Sequence, residues 1–254
     1  MPGYLTQHSR VQISGVAELH IRSLLDRQQF ADPLGAALRL GISSATWPLF
    51  GMLWPSGAEL AALLALRPVN PHERVLEIGC GLGLASLVGH RRGVDITASD
   101  CHPLASAFML ENLRLNGLPP IKYRHGHWDA AHAQQALPGS PGVAAVLAVA
   151  GRFDLIIGSD VLYERDESGA LAGFIGRHAE LTAEVWIIDP HRGNRPAFHR
   201  QLAGLGFDLH ERRLDRPQGL QGLQVGVHPG AYRGRLLTYR RGAHAAPVRV
   251  PPVA

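Results

Sequence analysis

Three glycines at alternate positions constrain this chain more than any other feature of its sequence. They lie in the run Glu77-Ile78-Gly79-Cys80-Gly81-Leu82-Gly83, directly after the apolar segment 75–78. The residues that follow have helical spacing, with Leu84, Leu87 and Val88 on one face. Glycine allows a tight turn and lets a ligand approach the backbone without a Cβ atom in the way. A buried strand, a glycine-rich turn and a helix in this order predict a ligand-binding loop.

The glycine spacing does not match the common phosphate-binding motifs. In the dinucleotide fingerprint G-x-G-x-x-G the third glycine lies one residue later than Gly83, and the G-x-x-x-x-G-K-[ST] pattern is absent here. Asp100 ends the next predicted strand, and an acid at that place can accept hydrogen bonds from both hydroxyls of a ribose. Two alternatives stay open from these residues alone: an NAD site, and a tight turn that binds no ligand.

Strands and helices alternate from Arg74 onward, which predicts right-handed βαβ units and a sheet covered by helices on both faces. Predicted helices include residues 57–66, 168–182 and 195–204, and a helix that opens at Pro103. The predicted strands are 75–78, 94–98, 121–125, 153–158 and 184–188, and segments 207–212 and 235–240 are expected to close the sheet in an antiparallel direction. The expected fold is a single doubly wound, Rossmann-like α/β domain with a seven-stranded, mostly parallel sheet.

Three segments are distinguished along the chain. Residues 1–46 are predicted to form a helical cap, because apolar residues such as Leu24, Leu34 and Leu38 suggest an amphipathic pattern. Residues 47–241 form the predicted main domain, in which 130–151 is an Ala-, Pro- and Gly-rich insertion. Residues 242–254 are rich in proline and poor in core residues, so a flexible tail is expected there.

Composition favours a soluble protein of the cytoplasm. Of the 254 residues 46% are apolar and 18% charged, and no apolar run is long enough to span a bilayer. The N-terminus has no signal-peptide pattern. Two cysteines, Cys80 and Cys101, are too few for a disulfide framework and fit a reducing compartment. The net charge of +4 is too small to indicate nucleic-acid binding. The oligomeric state is not predicted.

Several motifs resemble one enzyme family. The E-x-G-x-G-x-G spacing resembles the first motif of class I methyltransferases, which use S-adenosyl-L-methionine (AdoMet). Further motifs occur in the order expected for the seven-β-strand protein lysine methyltransferases that carry a D-x-x-Y motif. They are Phe50-Gly51-x-Leu53-Trp54-Pro55, Asp100-x-His102-Pro103, Trp128-Asp129 and Ser159-Asp160-Val161-Leu162-Tyr163-Glu164. The resemblance covers residues 47–205. Asp189-Pro190-His191-Arg192 is nearer to the branch that modifies electron-transfer proteins, and the insertion is longer than the family suggests.

The resemblance implies roles for individual residues. Trp54 would lie over the cofactor and Trp128 near its adenine, while Asp160 and Tyr163 would border the substrate channel. The implied cofactor-binding set is Trp54, Glu77, Gly79, Gly81, Gly83, Asp100, Trp128 and Ser159. The implied catalytic residues are Asp160, which would orient the incoming amine, and Tyr163, whose ring would hold the cationic product.

Each of these residues also has a purely structural interpretation. Trp54 and Trp128 are of a type that mostly packs in cores. Asp160 and Asp129 are of a type that often caps turns. Cys80 and Cys101 are interpreted as small loop residues rather than nucleophiles. The position of Asp160 after a central strand, where open α/β sheets bind ligands, favours its functional role.

The acceptor predicted from the resemblance is a protein lysine, with a small-molecule amine as the main alternative. A nucleic-acid base is disfavoured, because base amine methyltransferases typically carry D/N-P-P-Y/F where this chain has Asp160-Val161-Leu162-Tyr163. A metal-dependent hydrolase is a weaker alternative. It is suggested by His125, His127 and His132, which resemble an H-x-H-x-D-H box with the last histidine one residue late. An AdoMet-binding scaffold without activity also stays open.

Overall fold

The computed structural model describes residues 3–132, 135–137, 145–215 and 232–242. The chain begins with β1 (Thr6–Val11) and β2 (Leu19–Leu24), followed by α1 (Ala36–Arg39), a 3-10 helix (Trp47–Gly51) and α2 (Pro55–Leu66). The alternating part comprises β3 (Arg74–Ile78), α3 (Leu84–Arg91), β4 (Asp95–Asp100), α4 (Ala105–Leu115), β5 (Lys122–His125), β6 (Phe153–Ser159), α5 (Ala170–His178), β7 (Ala179–Asp189), α6 (Arg195–Gly204), β8 (Asp208–Arg213) and β9 (Arg235–Arg241).

Seven strands form one sheet in the order β5-β4-β3-β6-β7-β9-β8. Strands β3 to β7 pair in parallel, and β9 is antiparallel to both of its neighbours, β7 and β8. The predicted α/β fold, with a mostly parallel sheet and an antiparallel closing strand, is therefore confirmed. The order reverses at β3, because the chain runs outward through β4 and β5 and then returns to the other side with β6. This reversal opens a crevice at the carboxyl ends of β3 and β6, which is where such sheets bind ligands.

Both faces of the sheet are covered. Because successive side chains on a strand point to opposite faces, Val75 belongs to one apolar cluster and Leu76 to the other. The first cluster also contains residues of α2, α3, α4 and the N-terminal hairpin. The second is formed with α5 and α6. Together the two layers hold the central strands rigidly, so the loops at their carboxyl ends start from fixed points.

The prediction of a helical cap over residues 1–46 was wrong. Strands β1 and β2 form an antiparallel hairpin, with Thr6 opposite Leu24 and Val11 opposite Leu19. Burial along β2 alternates as in a strand, with Leu19 and Ile21 fully buried. Leu34 and Leu38, which suggested a helical face, are instead 77% and 72% exposed. The hairpin is fixed to α4 because Asn112 and Asn116 accept hydrogen bonds from the backbone of β2.

Two smaller differences concern the ends of elements. The helix predicted over 168–182 ends at His178, and β7 begins at once with Ala179. Ala179 pairs with Phe153, so sheet pairing takes a residue that the sequence assigned to the helix. The helix expected from Pro103 starts at Ala105. Within the insertion, Leu137 bridges Val146, and residues 133–134 and 138–144 lie outside the described residues. The predicted tail lies outside them from residue 243.

Among the described residues, no helix is both long and apolar enough to cross a membrane.

Candidate active site

The glycine loop connects the central strand β3 to α3. Gly79, Gly81 and Gly83 all have positive φ, at 55°, 51° and 70°. At Gly81 a Cβ atom would lie 2.7 Å from the carbonyl oxygen of Phe50, and at Gly79 it would lie 3.0 Å from Val161 Cγ1. Both the backbone conformation and the close approach exclude larger residues at these positions. The loop therefore presents bare backbone to the space in front of it.

The Glu77 side chain is bound to α3 behind the glycine loop and also borders the cavity in front of it. Its side chain is 3% exposed, and one carboxylate oxygen accepts hydrogen bonds from the backbone N–H and the hydroxyl of Ser86 in α3. Burial raises the pKa of Glu77 to about 7, although the bonds from Ser86 oppose the shift. This acid ties β3 to α3 and also lines the cavity described below.

Asp100 lies at the end of β4, the neighbour of β3. One of its carboxylate oxygens accepts a hydrogen bond from Gly81 N at 2.8 Å, and the other accepts from His102 N at 2.8 Å. The residue is 7% exposed, and burial raises its pKa. Each carboxylate oxygen has a second lone pair for a further donor. Asp100 can therefore fix the glycine loop and still accept hydrogen bonds from a ligand.

One cavity of about 1220 Å³ lies at this edge of the sheet. Pockets of 300–1,000 Å³ are usual for small ligands, so the volume has room for a nucleoside and part of a second molecule. Every residue in the two predicted site sets contributes to its lining: Trp54, Glu77, Gly79, Gly81, Gly83, Asp100, Trp128, Ser159, Asp160 and Tyr163. The structure thus brings together residues that are up to 109 positions apart, from 54 to 163.

Trp54 immediately precedes α2. Its indole Nε1 donates a hydrogen bond to the carbonyl oxygen of Leu49 at 2.9 Å, which fixes the ring. Two guanidinium groups lie near the ring, with Cζ of Arg27 at 4.5 Å and Cζ of Arg192 at 5.8 Å from the ring centroid. Trp54 is only partly buried, so its ring is a wall of the cavity rather than a core residue.

Asp160 and Tyr163 lie in the turn after β6. Asp160 has a φ of 56°, rare for a residue other than glycine, and its N–H donates to Ile188 O in β7 at 3.0 Å. Its carboxylate contacts Arg192 Nη2 at 3.2 Å. Burial raises the pKa of Asp160, against the opposing effects of the Ser56 hydroxyl and the Arg192 guanidinium. Tyr163 is 43% exposed and lies at the cavity wall.

Trp128 and Asp129 follow β5. Trp128 packs partly against the second apolar cluster, and its carbonyl oxygen accepts a hydrogen bond from Arg177 at 3.0 Å. Asp129 accepts a bond from the backbone of Ala131 at 2.9 Å and contacts His132 at 3.3 Å. Asp129 thus caps a turn, as its structural interpretation predicted, although it also borders the cavity.

The histidines that suggested a metal site lie near one another, with ring centroids 6.3 Å apart for His125 and His127 and 5.0 Å apart for His127 and His132. His125 is buried, and burial lowers its pKa to about 4. His127 contacts the carbonyl oxygen of Leu40, and His132 contacts Asp129. Within the described ranges no group of three or more His, Cys, Asp or Glu residues is arranged to hold a metal ion. Cys80 and Cys101 are free thiols.

Two residues of this site were not selected from the sequence. Arg192 reaches Asp160 from the loop after β7, and Asn194 donates hydrogen bonds to the carbonyl oxygens of Leu162 and Glu164 at 2.8 and 3.0 Å. Both follow a strand adjacent to β6. The same rule that selected Asp160, a polar residue after a central strand, could have identified them.

Comparison with known proteins gives one sequence match and several structural ones. No protein-family model matches this sequence. The histone-arginine methyltransferase METTL23 of Rattus norvegicus is 28% identical over 141 residues, which cover 54% of this chain. The match spans 56% of that relative, so this chain covers just over half the length of the curated relative.

Two solved structures have similar folds at low sequence identity. The precorrin-6y C5,15-methyltransferase of Geobacter metallireducens GS-15 has a TM-score of 0.53 and 10% identity, over 73% of this chain and 89% of that one. A structure described by the conversion of a disulfide bond into a thioacetal group during echinomycin biosynthesis has a TM-score of 0.52 and 17% identity, over 81% and 91%. With the strand order described above, these similarities assign the chain the class I methyltransferase fold.

Proposed function

We propose that this chain is an AdoMet-dependent methyltransferase that methylates a nitrogen of a protein side chain, with lysine as the first candidate. The observation that carries the proposal is the convergence of the glycine loop, Asp100 and Asp160 on one cavity at the carboxyl edge of the sheet. The match to a protein methyltransferase over half of the chain supports both the chemistry and a protein acceptor.

The residues present fit AdoMet. Gly79, Gly81 and Gly83 line the cavity with main chain that carries no Cβ atom, so a ligand can meet the backbone there. Asp100 would hold the ribose hydroxyls, and the rings of Trp54 and Trp128 offer apolar faces to the nucleoside. The acids Glu77 and Asp100 would also favour a cationic ligand. When bound, AdoMet would supply a methyl group on a sulfonium sulfur, which leaves as the neutral thioether of S-adenosylhomocysteine (AdoHcy).

The chain's own contribution is to position the acceptor. A lysine amine has a pKa of about 10.4 in water and must lose its proton before it can attack. Removal from water would lower that pKa, because burial disfavours the charged form. Asp160 would accept a hydrogen bond from the amine and orient it, and Tyr163 would form the wall of the entrance. Alignment of nucleophile and methyl group accounts for much of the rate gain in such a transfer.

Arginine is a second candidate acceptor, because Asp160 already contacts a guanidinium, that of Arg192, in this structure. The name of the METTL23 relative points to the same acceptor. A guanidinium keeps its proton at any physiological pH. Methylation of arginine would therefore need a stronger proton acceptor than methylation of lysine needs. Burial raises the pKa of Asp160 and makes it a better one.

The proposal is tested by transfer of label from radioactive AdoMet into a lysate of the source organism. Label in protein that resists nuclease and maps to lysine is the expected result, and label on arginine selects the second candidate. Label in small metabolites would overturn the protein acceptor but not the cofactor, and label removed by nuclease would point to nucleic acid. Failure of the folded protein to bind AdoMet or AdoHcy in calorimetry would end the proposal. A cytoplasmic location stays a prediction.

A further inference from the structure

Arg192 is held by its backbone at the wall of the cavity. It lies between two residues with positive φ, His191 at 63° and Gly193 at 83°. Its N–H donates to both carboxylate oxygens of Asp189 at 3.3 Å. Asp189 is fully buried and forms an ion pair with Arg195 at 3.2 Å. The backbone of Arg192 is therefore held in place, while its side chain is 38% exposed.

The end of the Arg192 side chain lies where a carboxylate and an aromatic ring meet. The guanidinium is 3.2 Å from Asp160 Oδ1 and 5.8 Å from the centroid of Trp54. An acid beside an aromatic face is a favourable environment for any organic cation. The ammonium of a lysine acceptor or the guanidinium of an arginine acceptor would be stabilised by the same carboxylate and the same ring. Acceptor and Arg192 would then compete for one position.

The two partners of this ion pair differ in their freedom. The Asp160 side chain is 10% exposed and its backbone N–H donates to Ile188 O, so its carboxylate lies largely away from solvent. A buried carboxylate without a partner is costly. Arg192 can swing into water, where a guanidinium is well solvated. An incoming cation can therefore replace Arg192 without leaving Asp160 unpaired.

We propose that Arg192 is a specificity-determining residue, whose guanidinium occupies the acceptor's place beside Asp160 and Trp54 until a cationic side chain displaces it. Neutral or poorly fitting molecules do not displace the guanidinium and are kept from the methyl donor. This role rests on the proposed function, since it assumes that the acceptor's nitrogen binds beside Asp160.

The test measures binding of small probes to protein saturated with AdoHcy. The cationic probe is n-butylammonium, which reproduces the end of a lysine side chain, and n-butanol is the neutral probe of equal length. Calorimetry compares the native protein with the variant Arg192→Gln. Arg27→Gln is the matched control, because Arg27 lies over the same Trp54 ring at 4.5 Å but comes from the N-terminal segment.

We expect Arg192→Gln to bind n-butylammonium about fivefold more tightly than the native protein, the factor that corresponds to about 1 kcal/mol for a partly exposed ion pair. Affinity for n-butanol should rise by a similar factor, because neither probe then has to displace the ion pair between Arg192 and Asp160, and Arg27→Gln should behave as the native protein. An equal gain in both variants, or a gain for n-butylammonium alone, would reduce Arg192 to a general charge effect and overturn the proposal. An absence of any gain in Arg192→Gln would overturn it as well.

Binding of AdoHcy separates this proposal from the proposed function. If the native protein binds AdoHcy but Arg192→Gln gains no affinity for the cation, only the role of Arg192 fails. If the folded native protein does not bind AdoHcy, the proposed function itself fails. Thermal melting of each variant identifies any loss of folding. A charge-preserving variant, Arg192→Lys, should keep the native affinity for n-butylammonium more closely than Arg192→Gln does.

Discussion

The carboxylate of Asp100 accepts a hydrogen bond from the backbone N–H of Gly81 at 2.8 Å. The acid that ends β4 therefore holds the glycine loop that follows the neighbouring strand β3. The two most informative features of the sequence are thus one structural unit. Any ligand that binds to the loop also lies against this carboxylate.

Replacement of Asp100 should weaken both the loop and the cofactor site. Asp100→Asn removes the charge and one of the two oxygens that accept backbone hydrogen bonds. Because hydrogen bonds to charged groups contribute about 1.5–3 kcal/mol each, AdoHcy affinity should fall by a factor on the order of 10 to 100. Titration calorimetry measures the change. Asp95→Asn, at the opposite end of β4 where Asp95 pairs with Lys122, is the control and should bind normally.

A methyl group at Gly81 should be more harmful than one at another glycine with positive φ. In Gly81→Ala the Cβ atom would lie 2.7 Å from the Phe50 carbonyl oxygen, whereas at Gly117 no atom lies within 4 Å of the added Cβ. Both variants carry the backbone penalty, with φ of 51° and 62°. Chemical denaturation should therefore show Gly81→Ala less stable than Gly117→Ala by about 1–3 kcal/mol. Equal losses of stability in the two variants would show that the close approach to Phe50 does not contribute to the effect of Gly81→Ala.

Glu77 should make stability depend on pH near neutrality. Burial raises its pKa in the folded protein to about 7 from 4.5, so the folded state binds the proton more tightly than the unfolded state. The resulting stabilisation is fully present below pH 4.5 and is lost as the pH rises through about 7. Glu77→Gln should remove this contribution, so that its free energy of unfolding falls less than the native value between pH 5 and 8, a window set by these pKa values.

Comparison of the native protein with Glu77→Gln isolates the contribution of Glu77 to the pH dependence of stability from that of other groups. Burial lowers the pKa of His102 to about 3, which makes stability rise with pH and partly masks the native trend. His102 is the same in both proteins, so its effect cancels in the difference between them. A difference that stays constant from pH 5 to 8 would show that Glu77 has an ordinary pKa, near 4.5, in the folded protein.

Asp160→Asn should reduce methyl transfer without reducing cofactor affinity. Loss of the carboxylate that orients the acceptor should lower kcat by about 100-fold or more, the usual contribution of a positioned acid or base. AdoHcy affinity should stay within about threefold, because this residue would contact the acceptor rather than the nucleoside. Filter binding of labelled acceptor and calorimetry measure the two effects. Asp154→Asn, near the other end of β6 where Asp154 accepts a bond from Arg74 N, is the control. Normal turnover in Asp160→Asn would refute the assignment.

Several parts of the site follow from the sequence because they depend on strand order alone. Asp100 ends β4 and Asp160 follows β6, both strands lie next to β3, and the carboxyl ends of parallel strands meet at one edge of a sheet. Once the alternation of strands and helices is recognised, these residues and the glycine loop must lie near each other. Side-chain detail is not needed for this conclusion.

The N-terminal segment shows where sequence patterns are ambiguous. Leu34 and Leu38 are spaced as on a helix, yet both are exposed. Leu19 and Ile21 are spaced as on a strand and are buried, because the hairpin covers α4. Short apolar patterns fit both periods. Packing against a helix about 90 residues away stabilises the strands rather than a helix in this segment, and Asn112 accepts a hydrogen bond from Arg22 N.

By itself, then, the sequence determined the α/β fold and ten of the residues around the cavity, since regular connections between strands leave few alternatives. Only the tertiary structure decided what those residues contact. Arg192 meets Asp160 across 32 positions, and Gly81 meets Asp100 across 19. Such contacts depend on the register of neighbouring strands and the direction of each side chain. Both are set by the packing of the whole sheet, which no local stretch of sequence encodes.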